Sequence, residues 1–325
     1  SDVYKRQVLQ EVLKQVDEIS PGVEVIDIFV ARDEIVDRYI ESINEGIGPD
    51  LLVGAAEWLP QLIATESVRP ISNDTRLLLE FRDSALDAVR VGETLYGIPM
   101  SVAPNSLYVN FELASEIPSG IDDFLDYTSV EAPVALEPRF EPAYWGIADF
   151  GVGLFDSQGR FTLTTSGFTE WLTWLESVQD EPGIILNSDS QALLELFMEG
   201  RAAYYVGGPE ELSTISRNLS EDKLAVVRLP NGPVGAAAPL VAADAVMLGT
   251  NSSDTQAEAA RVVADLLTNR QQSTTFMREL GRIPANAEVS VDPRIYPLLG
   301  GFARQSATSV ALPNDIDQST LCLLY

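Results

Sequence analysis

Gly48-Pro49-Asp50-Leu51-Leu52-Val53-Gly54-Ala55-Ala56-Glu57-Trp58 sets the reading of the fold. Gly-Pro-Asp is a turn, Leu51-Leu52-Val53 is a short buried strand, and a new helix is predicted near Glu57. Upstream, Leu9, Val12, Leu13, Val16 and Ile19 recur at helical spacing until Pro21-Gly22 breaks the run. Val23–Val30 is rich in β-branched residues and reads as a strand. Asp33 can cap the helix that follows, whose apolar face is Ile35, Val36, Tyr39, Ile40 and Ile43. Helix, strand, helix, strand in succession predicts a parallel sheet with covering helices, an α/β fold.

Further along, strands are expected at Ser106–Phe111, Ala132–Leu136, Ala202–Val206, Leu224–Leu229 and Leu240–Leu248. Helices are expected at Tyr144–Phe150, Ser166–Gln179, Ser190–Glu199, Asp254–Thr268 and Gln271–Leu280. Leu154–Leu163 reads as a hairpin, and Gly207-Gly208-Pro209 as the entry to a helix with Pro in its first turn.

Composition excludes several classes of function. With 325 residues, the chain fits two domains of about 100–200 residues each. Twenty-one Lys and Arg stand against 49 Asp and Glu, a formal charge of -28, which repels nucleic acid and anionic lipid surfaces. Histidine is absent, so imidazole bases and most zinc or copper sites are excluded. One cysteine, Cys322, rules out intrachain disulfides and Fe–S clusters. The longest uncharged stretch, Thr94–Phe111, contains Gly97, Pro99 and Pro104 and cannot be a continuous spanning helix. No cofactor motif stands: Gly151-Val152-Gly153-Leu154-Phe155-Asp156 lacks the third glycine of a dinucleotide loop, and no phosphate-binding loop is present. Asp156-Ser157-Gln158-Gly159 is a turn rather than a calcium loop.

Four stretches together resemble the bacterial extracellular solute-binding proteins of ABC importers, the maltose-binding-like family. They are Gly48-Pro49-Asp50-Leu51-Leu52 with Val68-Arg69-Pro70-Ile71; Leu95-Tyr96-Gly97-Ile98-Pro99 with Leu107-Tyr108-Val109-Asn110; Phe197-Met198-Glu199-Gly200-Arg201-Ala202-Ala203 with Gly207-Gly208-Pro209; and Leu248–Ala285 with its Gly281-Arg282-Ile283-Pro284-Ala285 ending. Their order and spacing cover most of the chain. The resemblance implies a two-lobed periplasmic-binding-protein fold of type II, each lobe a central sheet flanked by helices, with the ligand held in an interlobe cleft. The lobes are expected at 1–103 plus 242–287 and at 104–241 plus 288–325, with hinge crossovers at Ala103-Pro104 and Leu240-Val241. The implied role is non-enzymatic: an extracytoplasmic, monomeric protein that hands a small solute, a sugar, to a membrane permease. Three departures stand out. The strand that usually precedes the first helix is absent, Phe111-Glu112 replaces a Lys-Asp pair, and Glu210 stands where an aromatic residue often follows Gly-Pro. The opening Ser1–Gln7 and closing Leu321–Tyr325 resemble translated adapter sequence, so the chain reads as truncated at both ends, its signal segment and C-terminal helices lost.

In such sheets ligands bind beyond the carboxyl ends of strands. Glu57 and Trp58 follow the first such strand, as hydroxyl acceptor and flat apolar platform, or as helix-start carboxylate and packing residue. Glu137, Arg139, Glu141, Tyr144 and Trp145 follow Ala132–Leu136, as a polyol or sugar site in which one of the two diverging aromatics reaches the ligand, or as a polar helix entry with an aromatic core anchor. Gly208 and Glu210 sit at a helix start, where free N–H groups bind anionic or hydroxyl groups unless Glu210 satisfies them. Asn105 lies in the crossover, as a ligand contact or a turn residue. Asp244 interrupts the apolar run Leu240–Leu248 near the second crossover; a buried carboxylate there needs partners, which makes it a ligand-binding candidate in the cleft. Trp171 and Trp174 read as core. Tyr204 and Tyr205 face opposite sides of a strand, against an iron site. The rivals are a binding protein for a polyamine, peptide or organic anion, and a glycan hydrolase drawing two carboxylates from Glu57, Glu137, Glu141 and Asp149.

Overall fold

The computed structural model describes residues 2–71, 75–154, 162 and 167–314, with side chains described from residue 6 onward and not at 75–77. The chain divides into two units, one holding residues up to Val102, Ala242–Ser290 and the stretch from Ala311, the other Ala103–Val241 and Val291–Val310.

The first unit is built on a four-stranded sheet in the order Leu51–Ala55, Val241–Leu248, Ile98–Pro104, Ile283–Pro284. Leu51–Ala55 runs antiparallel to Val241–Leu248, with Leu52 opposite Met247 and Ala55 opposite Asp244. Ile283–Pro284 is antiparallel to Ile98–Pro104. The local alternation of elements predicts a parallel sheet, and here that reading is corrected. The partner of Leu51–Ala55 comes from nearly 200 residues downstream, a pairing no local pattern encodes. Leu59, Leu62, Ala245, Val246 and Met247 are fully buried. Each buried Leu contributes about 1.5–3 kcal/mol. Helix Asp254–Thr268 begins in a capping box, Ser253 receiving the Gln256 N–H while the Gln256 side chain returns to the Ser253 N–H. Helix Arg270–Leu280 starts on Asn269, whose Oδ1 accepts from Gln272 N at 2.8 Å. It ends on Gly281 at φ +65°, a left-handed conformation that glycine adopts without steric cost.

Val23–Val30 is a second correction. It pairs with no described strand, and Ile26, Ile28 and Phe29 are exposed. β-Branched residues favour extended backbone, but a strand without a neighbour gains no ladder hydrogen bonds.

The second unit holds a five-stranded sheet in the order Ile184–Leu186, Val134–Leu136, Tyr204–Gly207, Ser106–Asn110, Leu224–Val227. The first three strands are mutually parallel; Ser106–Asn110 is antiparallel to both its neighbours. Tyr108, with no exposed surface, sits opposite Tyr205 and is ringed by Phe197, Tyr205 and Phe302 at 5.6–6.0 Å. Helix Phe168–Val178 starts two residues later than expected and presents Trp171 and Trp174, stacked at 5.2 Å, to the core. The helix expected from Pro209 begins instead at Leu212, so Gly208, Pro209 and Glu210 form a turn ahead of it. The Leu154–Leu163 hairpin and Cys322 fall outside the described residues. Among the described residues no helix is long and apolar enough to cross a membrane.

Helix Pro297–Gln305 lies so close to strand Leu224–Val227 that a Cβ on Gly301 would collide with the Val226 carbonyl oxygen. Gly301→Ala should therefore cost about 1–3 kcal/mol in urea unfolding; unchanged stability would mean the helix stands further off. Asp149, with no exposed surface, lies beneath the loop 232–235, whose Val234 and Gly235 N–H groups donate to its carbonyl. Burial pushes its carboxyl from 3.8 up to about 8, partly offset by the Gly232 N–H. The native protein then holds a proton that the unfolded chain releases near pH 4, so this group stabilises the fold at acidic pH. That contribution is lost as pH rises from about 4 to 8. Asp149→Asn should narrow the difference in unfolding free energy between pH 5 and pH 8 by at least about 1.4 kcal/mol, one pKa unit's worth; an unaltered pH profile would contradict this.

Candidate functional site

In the second unit, the carboxyl ends of Val134–Leu136 and Tyr204–Gly207 lie on adjacent strands and bring distant residues together. Glu137 follows the first strand and ion-pairs with Arg139. The Arg139 Nη2 also donates to Ser190 Oγ at 2.7 Å, so the guanidinium is held on both sides. The second strand ends in Gly207 and turns through Gly208, Pro209 and Glu210. The Tyr108 hydroxyl fixes this turn by donating to the Gly208 carbonyl at 2.7 Å. Gly208 is buried, whereas Glu210 is exposed and folds its carboxylate back over the Gly208 Cα.

Two residues absent from the sequence-derived set complete the cluster. Tyr205 donates its hydroxyl to Glu211 Oε1 at 2.8 Å. Glu211 Oε2 is buried without a hydrogen-bond partner. Burial pushes the Glu211 carboxyl up to about 7; the Tyr205 hydroxyl and the Gly208 N–H oppose that shift, and the Glu210 and Glu137 charges add to it. Burial and the same carboxylates drive the Tyr205 hydroxyl far above its ordinary value. The available signal was Tyr205 two residues before Gly207-Gly208, with Glu211 just beyond. Tyr204 and Tyr205 do face opposite sides: Tyr204 packs on Phe124 and donates to the Glu116 carbonyl, away from this cluster.

The neighbouring candidates have other surroundings. Glu141 is exposed on the short helix Phe140–Ala143. Tyr144 and Trp145 are both buried: Tyr144 lies edge-on to Phe140 at 5.6 Å, and Trp145 packs on Trp171 at 4.8 Å. Asn105 is partly exposed between strands Ile98–Pro104 and Ser106–Asn110. Asp149, one of the four carboxylates of the hydrolase reading, has no contact with solvent.

In the first unit, Glu57 ion-pairs with Arg32 at 2.8 Å, and that guanidinium also lies 5.7 Å over the Trp58 ring. Trp58 in turn covers Gly54, where a Cβ would enter the indole. Arg32, Glu57 and Trp58 thus form one patch at the end of Leu51–Ala55. Asp244 stands opposite Ala55 at the same strand end, paired with Arg282 at 2.8 Å and accepting from Ser101 Oγ at 3.2 Å. A hollow of about 240 Å³ is lined by Glu80, Asp265, Asn269, Arg270 and Glu288, and a shallower one of about 560 Å³ by Asp37, Glu41 and Gln61. No candidate residue lines either. Among the described residues no group of three or more acidic or Cys side chains is placed to hold a metal ion. The chain passes between the units at Val102–Ala103 and Val241–Ala242, and again near Ser290 and Val310.

Residues 14–296 match the family described as bacterial extracellular solute-binding protein. A galactooligosaccharide-binding protein of Bacillus subtilis (strain 168) is 23% identical over 298 residues, covering 83% of this chain and 68% of its own length. A maltotriose-binding protein of Pyrococcus abyssi (strain GE5 / Orsay) is 23% identical over 337 residues, covering 94% and 70%. Among solved structures, the maltose-binding periplasmic protein MalE from Listeria monocytogenes, in complex with maltose, aligns with a TM-score of 0.84 at 16% identity, covering 97% of this chain and 86% of that one. A cyclo/maltodextrin-binding protein complexed with maltotetraose aligns with a TM-score of 0.82 at 21% identity, covering 95% and 83%. These likenesses establish the α/β fold of the solute-binding proteins, and the family match spans far more than half of the chain. This protein therefore belongs to the bacterial extracellular solute-binding protein family, a family of binding proteins rather than enzymes.

Proposed function

We propose that this extracytoplasmic binding protein captures a carbohydrate and delivers it to the permease of an ABC importer. The observation that carries the reading is the convergence of Glu137, Arg139, Tyr205, Glu210 and Glu211 at two neighbouring strand ends of the second unit. Carboxylates accept two hydroxyl hydrogen bonds each and a guanidinium donates several, the complement that vicinal sugar hydroxyls require. The Arg32, Glu57 and Trp58 patch offers the same chemistry with an aromatic face. The names of the galactooligosaccharide- and maltotriose-binding relatives agree with a sugar. In this reading the protein works as a monomer, free in a periplasm or lipid-anchored outside the cytoplasmic membrane. Ala103, Pro104, Leu240 and Val241 act as its hinge, and Asn105 and Asp244 lie close to those crossings in sequence.

A thermal-shift screen against neutral oligosaccharides, polyols, peptides and organic anions tests the ligand class. A sugar at a hundred times its Kd should add about 2.7 kcal/mol of apparent stability. Shifts confined to peptides or anions would replace the ligand class. Small-angle scattering at saturation should show a smaller radius of gyration if the hinge operates, and an identical profile would remove the hinge.

A further inference from the structure

The cluster at the end of Tyr204–Gly207 is rich in acceptors and poor in cations. Its guanidinium, Arg139, is already engaged by Glu137 and Ser190. Among the described residues no Lys or Arg pairs with Glu210 or Glu211, and the charges that act on Glu211 are the carboxylates of Glu210 and Glu137. A second, independent observation lies on the neighbouring strand. Ser106 has no exposed surface, and its Oγ has no hydrogen-bond partner. Ser106 sits directly opposite Gly207, two positions along from the Tyr108–Tyr205 pair. Directly opposed residues project to the same face of a sheet, as do residues two apart. Ser106 Oγ therefore points to the face that Tyr205 occupies, the face on which a Cβ at Gly207 would run into Glu211 Oε2. Two buried oxygens, neither satisfied, are thus aimed to one side of a residue that has no side chain.

Buried polar atoms without partners are costly, and a buried carboxylate more so. A protonated amine answers both: it brings three donors and one positive charge. Resting on the carbohydrate reading, we propose that this strand end is a subsite for the ammonium group of an amine-bearing solute, an amino sugar, with Glu211, Glu210 and Ser106 Oγ as its acceptors. A neutral sugar could supply hydroxyl donors here but would leave the carboxylates uncompensated. The missing side chain at Gly207 lets Glu211 Oε2 and the Tyr205 ring pack directly over its Cα, so Gly207→Ala would displace the carboxylate from this position.

The test is isothermal titration of the full chain at about pH 6.5, where the amine is protonated. Four probes are used: the trisaccharide of glucosamine, its fully N-acetylated form, maltotriose and spermidine. The glucosamine trisaccharide should bind at least tenfold tighter than its N-acetylated form. Glu210→Gln and Glu211→Gln, both isosteric, should each remove that advantage while circular dichroism stays native. Equal affinity for the amine and the acetylated form would overturn the ammonium subsite and leave the carbohydrate reading intact. Tight spermidine binding that both Gln variants abolish, with every sugar silent, would support the subsite and overturn the sugar. No binding of any probe to the folded protein would overturn the subsite.

Discussion

The antiparallel register between Ser106–Asn110 and Tyr204–Gly207 is the constraint on which the candidate site depends. Once Tyr108 stands opposite Tyr205 and Ser106 opposite Gly207, the side-chain alternation of a strand leaves no freedom about which face each residue serves. Tyr108 anchors that register: its ring is enclosed by Phe197, Tyr205 and Phe302, and its hydroxyl holds the turn at Gly208. A one-residue slip would turn Tyr205 away from Glu211 and expose the aromatic cluster. The polar arrangement at the strand end is thus tied to the apolar packing beneath it.

The two sheets reach their strand ends by different routes. In the first unit, Glu57 and Trp58 follow directly from the end of one strand and are organised by Arg32, with no long-range pairing needed. In the second, the groups come from separate segments and meet only because Val134–Leu136 and Tyr204–Gly207 are parallel neighbours. The two parallel pairings explain why that sheet, buried on its helical faces, reads as short continuous apolar runs.

Much of this was legible in the sequence, for identifiable reasons. Asp254–Thr268 and Arg270–Leu280 carry local caps and 3.6-residue periodicity, so their positions follow from nearby residues alone. Leu51–Ala55 and Tyr204–Gly207 are punctuated by Gly and Pro and were readable as strands. What local pattern does not encode is partnership. It predicted a strand at Val23–Val30, where the β-branched residues have no neighbour to pair with, and it missed that the first sheet pairs antiparallel. At the site, Glu137, Arg139, Gly208 and Glu210 could be singled out because they follow predicted strands. Tyr205 and Glu211 are not legible in this way, because their contact spans a turn that local pattern reads as the first turn of a helix. Arg282 and Ser101, the partners of Asp244, lie 38 and 143 residues from it, beyond any motif.

The strand register holds Glu211 buried, with one oxygen satisfied by Tyr205 and the other without a hydrogen-bond partner. Carboxyl-carbon NMR titration of protein labelled at glutamate measures this directly, with Glu211→Gln supplying the assignment. The account predicts one glutamate resonance that titrates near 7 in the free protein, vanishes in the variant, and moves to lower pH when a cationic ligand is bound. A glutamate set in which every resonance titrates between about 4 and 5 would contradict it, because Glu211 would then be a solvated carboxylate and the strand end an ordinary surface turn.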